Sequence, residues 1–337
     1  MKQADLRLSD IGEKKLISKY LRPLLNPRSL PENVGDDCAI VRVRNGNAVC
    51  LSTDRVPADL ISFRLGLIGY RELGQYLAVL NISDIAAAGG EPRGLLLNLA
   101  FPATFRLTNF LDIIKGAQTA GLRYGAPVVG GDLSTAVEMN LAATSIGEVR
   151  RGRSLFRSGA KPGDAIFVSR PVGIAPAAFR HFLSGDGRAT PTARQVSQLK
   201  QHFARPEPLV SLGRSLAESG SCSSAMDNTD GLGQSLLEIG EASGVAMVID
   251  KTALPVAPVC RYIAEAYGDD ATELALSAGA DFQLVGTVRG DNAELIGRLQ
   301  LTRIGHVKEG RGVYLSGLAN RLKPCQPRGW NYFSGKA

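Results

Sequence analysis

Aspartate residues recur in short segments rich in Gly, Ser, Thr and Asn, and these segments are the part of the sequence best suited to chemistry. They read Gly35-Asp36-Asp37, Ser52-Thr53-Asp54, Asn81-Ile82-Ser83-Asp84, Gly130-Gly131-Asp132 and Asp227-Asn228-Thr229-Asp230-Gly231. Two carboxylates about 4 Å apart repel by roughly 4 kcal/mol at an effective dielectric constant of about 20. A pocket that collects several of them must protonate some or bind cations. Because oxygen ligands suit Mg²⁺, which shares its remaining positions with substrate phosphates, the pattern predicts a Mg²⁺–nucleotide site.

No familiar phosphate-binding loop accompanies these aspartates. The chain has no G-x-x-x-x-G-K-[ST] loop, and Gly231-Leu232-Gly233-Gln234 lacks the third glycine of a dinucleotide fingerprint. Each segment also has a structural interpretation when taken alone. Asp36-Asp37 could form a hairpin turn, Asp132 could cap a loop, and Asp230-Gly231 could begin a helix. The joint occurrence of the segments is what favours a site.

The sequence offers no nucleophile–base pair. The 3 histidines, His181, His202 and His306, fall outside the acidic segments, and we expect them at the surface or in structural roles. The 5 cysteines are scattered without a CxxC pair, so neither a zinc site nor a disulfide framework is predicted. Cys38 is expected to be a small buried thiol. This cysteine usage fits a reducing cytoplasm.

The composition is that of a water-soluble protein with two domains. The chain has 337 residues, of which 44% are hydrophobic and 21% charged. No apolar stretch approaches about 18 residues, so no membrane span is expected. The net charge of +7 is modest, and its one basic cluster, Arg150 to Arg157, is either a solvated loop or a phosphate contact. With 6% aromatic residues not interleaved with basic ones, nucleic acid is not expected as a partner.

Several predicted elements position the acidic segments. A hairpin is predicted between residues 38–43 and 48–53 around Asn45-Gly46, with Asp54 just past its second strand. Residues 67–88 form a predicted buried helix that carries Asp84. Short strands over 127–129 and 224–226 deliver Gly130-Gly131-Asp132 and Asp227.

The remaining patterns alternate between helix and strand. Asp10 and Glu13 resemble a capping box at the start of an N-terminal helix. Further strands are predicted over 95–101, 140–149, 165–169, 245–249, 282–288 and 303–307, and helices over 107–124, 174–183, 193–203, 209–219, 231–243, 256–267 and 292–299. The turn-rich stretch 150–164 predicts a division into domains 1–149 and 150–337. We therefore predict an α/β (α+β) two-domain protein.

In their order along the chain, the acidic segments resemble the motifs of thiamine-monophosphate kinases, a family in the superfamily of aminoimidazole ribonucleotide synthetase and selenophosphate synthetase. Residues 157–164, 226–232 and the closing Gly329-Trp330-Asn331-Tyr332-Phe333 add to the resemblance, which covers nearly the whole chain. It implies a two-domain PurM-like fold with a C-terminal α/β domain, and a homodimer whose N-terminal sheets join into a β-barrel. It also implies ATP- and Mg²⁺-dependent phosphorylation of thiamine monophosphate to thiamine diphosphate by direct in-line transfer.

The resemblance also implies roles for individual residues. The Mg²⁺ ligands would be Asp36, Thr53, Asp54, Asp84, Asp132, Asp227 and Asp230, with Asp54, Asp84 and Asp227 at the centre of catalysis. Gly131, Asp132, Arg157 and Thr229 would lie at the ATP. Trp330 would pack against the ring of the acceptor, and Asp59 stands where an acceptor contact is expected.

The acceptor half of the site departs from the family. The family usually shows Gly-Gly-Glu-Asp-Tyr-Glu-Leu, whereas this chain has Ala280 and Gln283 in place of the two glutamates. The run at 58–63 also differs from the usual Gly-x-His-Phe. Two alternatives therefore stand beside the kinase. One is a related ATP-dependent kinase or synthetase with a different small phosphate or carbonyl acceptor. The other is a non-catalytic regulator that binds a nucleotide or a metal.

Overall fold

The computed structural model describes residues 7–21, 35–43, 46–317 and 321–325. Within these ranges the strands form two sheets, and neither sheet closes on itself. The first sheet contains residues from Ala39 to Arg150, and the second contains residues from Ala165 to Cys325. The chain therefore folds into two α/β halves, as the alternation of helical and strand patterns predicts. The division at residue 150 stays a prediction.

The first sheet has five strands in the order β1-β2-β5-β3-β4. They are β1 (Ala39–Arg42), β2 (Asn47–Arg55), β3 (Glu91–Phe101), β4 (Val128–Thr135) and β5 (Asn140–Arg150). The predicted hairpin is confirmed, because β1 and β2 pair antiparallel with Ala39 opposite Leu51. Alternate residues of β5 are buried, so one face of the sheet meets the core and the other is turned outward.

Helix α4 is the central element of the first half. The helices here are α1 (Leu8–Ile11), α2 (Glu13–Leu16), a π-helical turn (Ile17–Leu21), α3 (Ile61–Arg64), α4 (Tyr70–Ala87) and α5 (Leu107–Arg123). Nearly every residue of α4 from Leu73 onward is buried, because α4 packs on α5, on the first sheet and on the second half. A helix covered on all sides needs apolar residues all round. Gly74 and Gly116 allow α4 and α5 to approach closely, since a Cβ at either would lie 2.0 or 1.9 Å from a backbone oxygen of the other helix.

The second sheet has seven strands in the order β12-β11-β8-β10-β6-β9-β7. They are β6 (Ala165–Val168), β7 (Cys222–Asp227), β8 (Ala246–Asp250), β9 (Leu284–Val288), β10 (Thr302–Lys308), β11 (Gly312–Ser316) and β12 (Leu322–Cys325). Its helices are α6 (Ile174–Ser184), α7 (Ala193–Ala204), α8 (Val210–Ser219), α9 (Leu232–Ser243), α10 (Pro258–Tyr267), α11 (Ala271–Ser277) and α12 (Ala293–Arg298). The edge strand β7 packs against α4, so the two halves meet where two of the acidic segments lie.

Two predictions about strand ends are wrong, and strand pairing is the reason in both cases. Asp54 lies inside β2, because β2 continues to pair with β5 through Arg55. Gly130-Gly131-Asp132 lies inside β4, because β4 pairs with β3 as far as Thr135. A neighbouring strand can thus carry an extended conformation through residues that locally favour a turn.

The predicted N-terminal helix is also wrong in its detail. Gly12 divides it at a φ of 75°, a conformation that glycine adopts readily. Asp10 does not form a capping box with Glu13; instead its carboxylate accepts a 2.8 Å hydrogen bond from the backbone N–H of Arg7. Elements that sequence patterns did not reveal are α3, α11, β11 and β12, most of which are too short to show a period. Among the described residues, no helix has the length and apolar character needed to cross a bilayer.

Candidate active site

Three carboxyl groups from separate elements meet where the two halves join. Asp37 precedes β1, Asp84 lies on α4, and Asp227 ends β7. Each offers a carboxylate oxygen, and these oxygens all lie within 4.8 Å of one another. The Asp84 and Asp227 residues are buried, and the side chain of Asp37 is only 4% exposed. Asp37, Asp84 and Asp227 are called the triad of aspartates below.

Short polar side chains orient the triad of aspartates. Ser83 Oγ donates a 2.6 Å hydrogen bond to Asp227 Oδ2, and Thr229 Oγ1 donates a 3.0 Å bond to Asp227 Oδ1. Ser52 Oγ donates to Asp84 Oδ2. Each hydroxyl stabilises the ionised form of the carboxylate it contacts. Ser52, Ser83 and Thr229 therefore hold the carboxylates of Asp84 and Asp227 in position.

Asp54 lies beside the triad of aspartates on β2. Its backbone N–H donates a 2.9 Å hydrogen bond to Asn81 Oδ1, and Asn81 Nδ2 donates a 3.0 Å bond to Leu77 O within α4. The buried amide of Asn81 thus joins β2 to α4. This bridge places the Asp54 carboxyl near that of Asp84, with which it shares a hydrogen bond.

Burial disfavours the ionised form of several carboxyl groups in the pocket. It raises the pKa of Asp36 and of Asp54 to about 6, and that of Asp227 to about 7. Burial also raises the pKa of Asp84 well above its usual value, and the neighbouring charges of Asp54 and Asp227 add to the effect. Cations in the pocket would therefore favour the ionised form of these carboxyl groups.

Two basic side chains supply part of the opposing charge. Arg157 Nη2 lies 2.6 Å from Asp37 Oδ1, and Arg157 Nη1 lies 2.6 Å from Glu238 Oε2. The backbone N–H of Arg157 donates a 2.8 Å bond to Asp36 Oδ1. Lys14 Nζ contacts Asp230 Oδ2 at 2.5 Å and Glu238 Oε1 at 2.7 Å. The pocket still holds more carboxyl groups than cations.

Sequence reasoning did not assign Lys14, Ser83 or Glu238 to the site. Glu238 lies on α9, eight residues after Asp230 and next to the buried Ile239. A charged residue close to the buried side of an amphipathic helix could have indicated a role in the site. Ser83 belongs to the segment Asn81-Ile82-Ser83-Asp84, of which only the aspartate was predicted to bind a metal. For Lys14 no sequence signal existed, because its helix has only 4 residues.

Within one chain, the side chains of Thr53 and Asp132 lie away from the triad of aspartates, and their roles as Mg²⁺ ligands stay predictions. Thr53 faces away from Asp54, since successive residues of a strand point to opposite faces; its Oγ1 donates to Ala143 O at 3.0 Å and accepts from Thr144 Oγ1 at 3.2 Å. In register, Asp132 aligns with Arg55 across β3 and β5, on the outward face of the sheet. It is exposed and about 14 Å from β2, at three strand spacings.

Gly131 has a structural role in the pairing of β4 with β3. It aligns with Leu97, Ala143 and Asp54 across the sheet. A Cβ at Gly131 would lie 2.0 Å from Leu97 O, and its φ of +155° is one that other residues rarely adopt. In a single chain Gly131 lies three strands from Asp54, and its place at the triphosphate stays a prediction.

The altered acceptor segment adjoins the acidic loop directly. Ala280 N–H donates a 2.8 Å bond to Thr229 O, and Asn228 N–H donates a 2.8 Å bond to Gln283 O. Gly279 approaches so closely that a Cβ would lie 1.6 Å from Thr229 O. The two departures from the family motif therefore sit beside the carboxyl groups.

The roles of the two remaining acceptor candidates stay predictions. Asp59 is exposed in the loop between β2 and α3. Trp330 lies outside the described residues.

The comparisons with known proteins agree with this fold. Residues 35–149 match the family AIR synthase related protein, N-terminal domain, and residues 161–317 match its C-terminal domain. The thiamine-monophosphate kinase of Bacillus subtilis is 31% identical over 89% of this chain and 92% of its own length. That of Pyrococcus horikoshii is 31% identical over 90% of this chain and 91% of its own length. The structure of AaThiL complexed with AMPPCP and TMP superposes with a TM-score of 0.83 at 27% identity, covering 97% of this chain and 99% of that one.

Because the two matched ranges together span most of the chain, it is an AIR synthase related protein with a two-domain PurM-like fold. Within that class the similarity to curated relatives extends over almost the entire length of both chains. The chain belongs to the thiamine-monophosphate kinase family.

Proposed function

We propose that the protein transfers the terminal phosphoryl group of ATP to thiamine monophosphate and forms thiamine diphosphate. The observation that carries this proposal is the convergence of Asp37, Asp84 and Asp227 in one buried pocket. Relatives that match along nearly the whole chain are thiamine-monophosphate kinases. AaThiL, the similar solved structure, is complexed with AMPPCP, an analogue of ATP, and with TMP.

The chemistry of the triad of aspartates fits Mg²⁺. Ligand oxygens of a six-coordinate Mg²⁺ lie about 2.1 Å from the ion, so opposite ligands are about 4.2 Å apart. The spacing of up to 4.8 Å between the triad oxygens needs only a small adjustment to reach that geometry. Asp36, Asp54 and Asp230 are the candidates for further ions. Bound Mg²⁺ would offset the negative charge of the phosphate oxygens.

The chain's own residues would bind and orient the reactants. Arg157 is held by Asp37 and Glu238, and a guanidinium fixed in this way can contact a phosphate of ATP. Thr229 lies at the same loop and presents a hydroxyl. Because the acceptor is itself a phosphate, in-line transfer depends on positioning and charge neutralisation rather than on a strong base. Consistent with this, the described part of the chain brings no histidine into the triad.

We also propose that the protein is a homodimer joined through the outward face of the first sheet. Strand β4 is an edge strand with exposed Val129, and the outward-facing Leu96 of β3 is 39% exposed. A pairing across this face would bury that apolar surface and could form the barrel expected of the family. It would also carry Asp132 and Gly131 towards the site of the partner copy. Sedimentation equilibrium tests the dimer, and Leu96→Lys should dissociate it.

One experiment tests the reaction itself. The protein is incubated with Mg²⁺-ATP and thiamine monophosphate, and phosphorus resonances are followed for a new diphosphate. The expected result is equal formation of ADP and thiamine diphosphate. ATP consumption with a different small phosphate only would favour the alternative acceptor that Ala280 and Gln283 suggest. Binding of Mg²⁺-ATP without turnover would favour a regulator. The free cysteines support a cytoplasmic setting for the reaction.

A further inference from the structure

The ammonium group of Lys14 lies against the carboxylate of Asp230. Its Nζ lies 2.5 Å from Asp230 Oδ2 and 2.7 Å from Glu238 Oε1. The Lys14 side chain is 31% exposed and that of Glu238 only 10%. The two ion pairs are therefore partly shielded from water, where they are stronger than at an open surface.

The side chains of the segment that carries Lys14 are half-buried or exposed. No side chain of α1, α2 or the π-helical turn is buried. Elements with few buried apolar contacts open at low free energy. The ion pairs of Lys14 therefore contribute to docking this segment on the site.

A divalent cation and the Lys14 ammonium compete for the same carboxylate. An ion bound to either oxygen of Asp230 would lie within a few Å of Nζ, where like charges repel strongly. Asp230 also lies close enough to Asp54 for their charges to interact, so it is connected to the other carboxyl groups of the site. Arg157, in contrast, contacts Asp37 and Glu238 but not Asp230.

We propose that Lys14 is a built-in counter-ion that holds Asp230 in the metal-free protein and leaves when a divalent cation binds. The inference rests on the proposed function, because it takes Asp230 to be a metal ligand. The metal then competes with residues 8–16, and loading of the site is coupled to release of this N-terminal segment. Loss of Lys14 removes the competitor and should tighten metal binding.

Mn²⁺ binding to the nucleotide-free protein tests the proposal without measuring turnover. The concentration of free Mn²⁺ is followed by electron paramagnetic resonance for the wild type, Lys14→Met, Lys14→Arg and Lys15→Met. Lys15 is the matched control, because it is the neighbouring residue, carries the same charge and is exposed. We expect Lys14→Met to bind Mn²⁺ about tenfold more tightly, and the other two variants to match the wild type.

Hydrogen exchange gives a second measurement on the same proteins. Adding Mn²⁺ to the wild type should reduce amide protection in residues 8–16, and in Lys14→Met protection should be low from the start. Equal Mn²⁺ affinity in Lys14→Met and the wild type, or unchanged protection after Mn²⁺ is added, would overturn the role of Lys14 and leave the kinase proposal intact. If none of the proteins bound Mn²⁺ even with an ATP analogue present, both proposals would be wrong.

Discussion

Ser83 Oγ donates a 2.6 Å hydrogen bond to Asp227 Oδ2 across 144 positions of the chain. Ser83 belongs to α4 in the first half, and Asp227 ends β7 in the second half. The bond therefore fixes one carboxyl group of the triad of aspartates relative to Asp84, which is the next residue on α4. The geometry of the proposed metal site depends on how the two halves dock.

Ser83→Ala should weaken metal binding much more than it weakens the fold. The hydroxyl of Ser83 lowers the pKa of Asp227, so its loss leaves that carboxyl more protonated near neutral pH. We expect the apparent affinity for Mg²⁺ to fall by roughly tenfold, and the free energy of unfolding by about 1 kcal/mol. Calorimetric titration with Mg²⁺ and an ATP analogue measures the first, and urea denaturation the second.

Ser145→Ala is the matched control for this prediction. Ser145 is a fully buried serine, and its hydroxyl has no hydrogen-bond partner in the described residues. The substitution should leave Mg²⁺ affinity unchanged. Equal Mg²⁺ affinity in Ser83→Ala and Ser145→Ala would show that the hydroxyl of Ser83 does not tune the site.

Asp54→Asn should abolish most of the activity while the metal-free protein stays at least as stable. Burial raises the pKa of Asp54 to about 6, so a neutral amide of the same shape removes an unfavourable buried charge. We expect turnover to fall by roughly a hundredfold or more, because electrostatic neutralisation supplies much of phosphoryl-transfer catalysis. Steady-state kinetics at several Mg²⁺ concentrations and thermal melting measure the two effects.

Asp291→Asn is the matched control for Asp54→Asn, because it removes one carboxylate far from the proposed site. Asp291 forms an ion pair with Arg303 at 3.0 Å, and its side chain is 61% exposed. Exposed pairs of this kind contribute about 1 kcal/mol or less. Turnover should therefore stay at the wild-type level. Near-normal activity and Mg²⁺ dependence in Asp54→Asn would remove this residue from the proposed site.

The metal-free protein should lose stability as pH rises from about 4 to about 7. Burial raises the pKa of Asp36 and Asp54 to about 6 and that of Asp227 to about 7, against 3.8 for an exposed aspartate. Across this window the folded state binds more protons than the unfolded state, so the free energy of unfolding falls with rising pH. With EDTA present, we expect melting at pH 8 on the order of 5 °C below that at pH 5.

Mg²⁺ should reverse this trend, because it favours the ionised carboxylates. The difference in melting temperature between samples with Mg²⁺ and with EDTA should therefore widen as pH rises. Asp227→Asn should flatten the profile in EDTA. A melting temperature that climbs steadily from pH 5 to pH 8 in EDTA would contradict the proposed protonation of these groups.

Short sequence patterns correctly predicted those elements that neighbouring residues in the sequence determine. The Asn-Gly turn indicated the β1–β2 hairpin, and the long apolar run indicated α4. The continuation of β4 through Gly130 and Gly131 could not be predicted, because it depends on pairing with β3. The paired residues of β3 and β4 are at least 33 positions apart in the sequence. The close approach of α4 and α5 at Gly74 and Gly116 is likewise a property of two helices together.

For the site, sequence motifs identified the carboxyl groups but not their arrangement. Asp84 and Asp227 were expected together and lie together, because each ends up on an element at the junction of the halves. Asp132 carries an equally suggestive motif, yet strand alternation turns it to the outward face of the sheet. Asp37, which was not among the predicted Mg²⁺ ligands, belongs to the triad of aspartates. Which of two adjacent acidic residues points inward depends on tertiary contacts, here the ion pair with Arg157.

Gln283→Glu should destabilise the protein, although it restores a residue typical of the family. Gln283 is 4% exposed, and its Nε2 donates a 2.6 Å hydrogen bond to Pro171 O. A carboxylate there would face the carbonyl oxygen of Pro171 with no proton to donate. We expect the free energy of unfolding at pH 7.5 to fall by about 3 kcal/mol, the typical cost of an unsatisfied buried charge.

The pH dependence of Gln283→Glu distinguishes this cause from a general packing defect. A buried glutamate without a donor has a raised pKa, so the folded variant holds its proton to higher pH than the unfolded chain does. Its stability relative to the wild type should therefore recover at pH 5 and decline as pH rises. Gln198→Glu, at an exposed position, should show neither effect. If urea denaturation gave the same loss at both pH values, the bond to Pro171 O would not explain why an amide stands at this position.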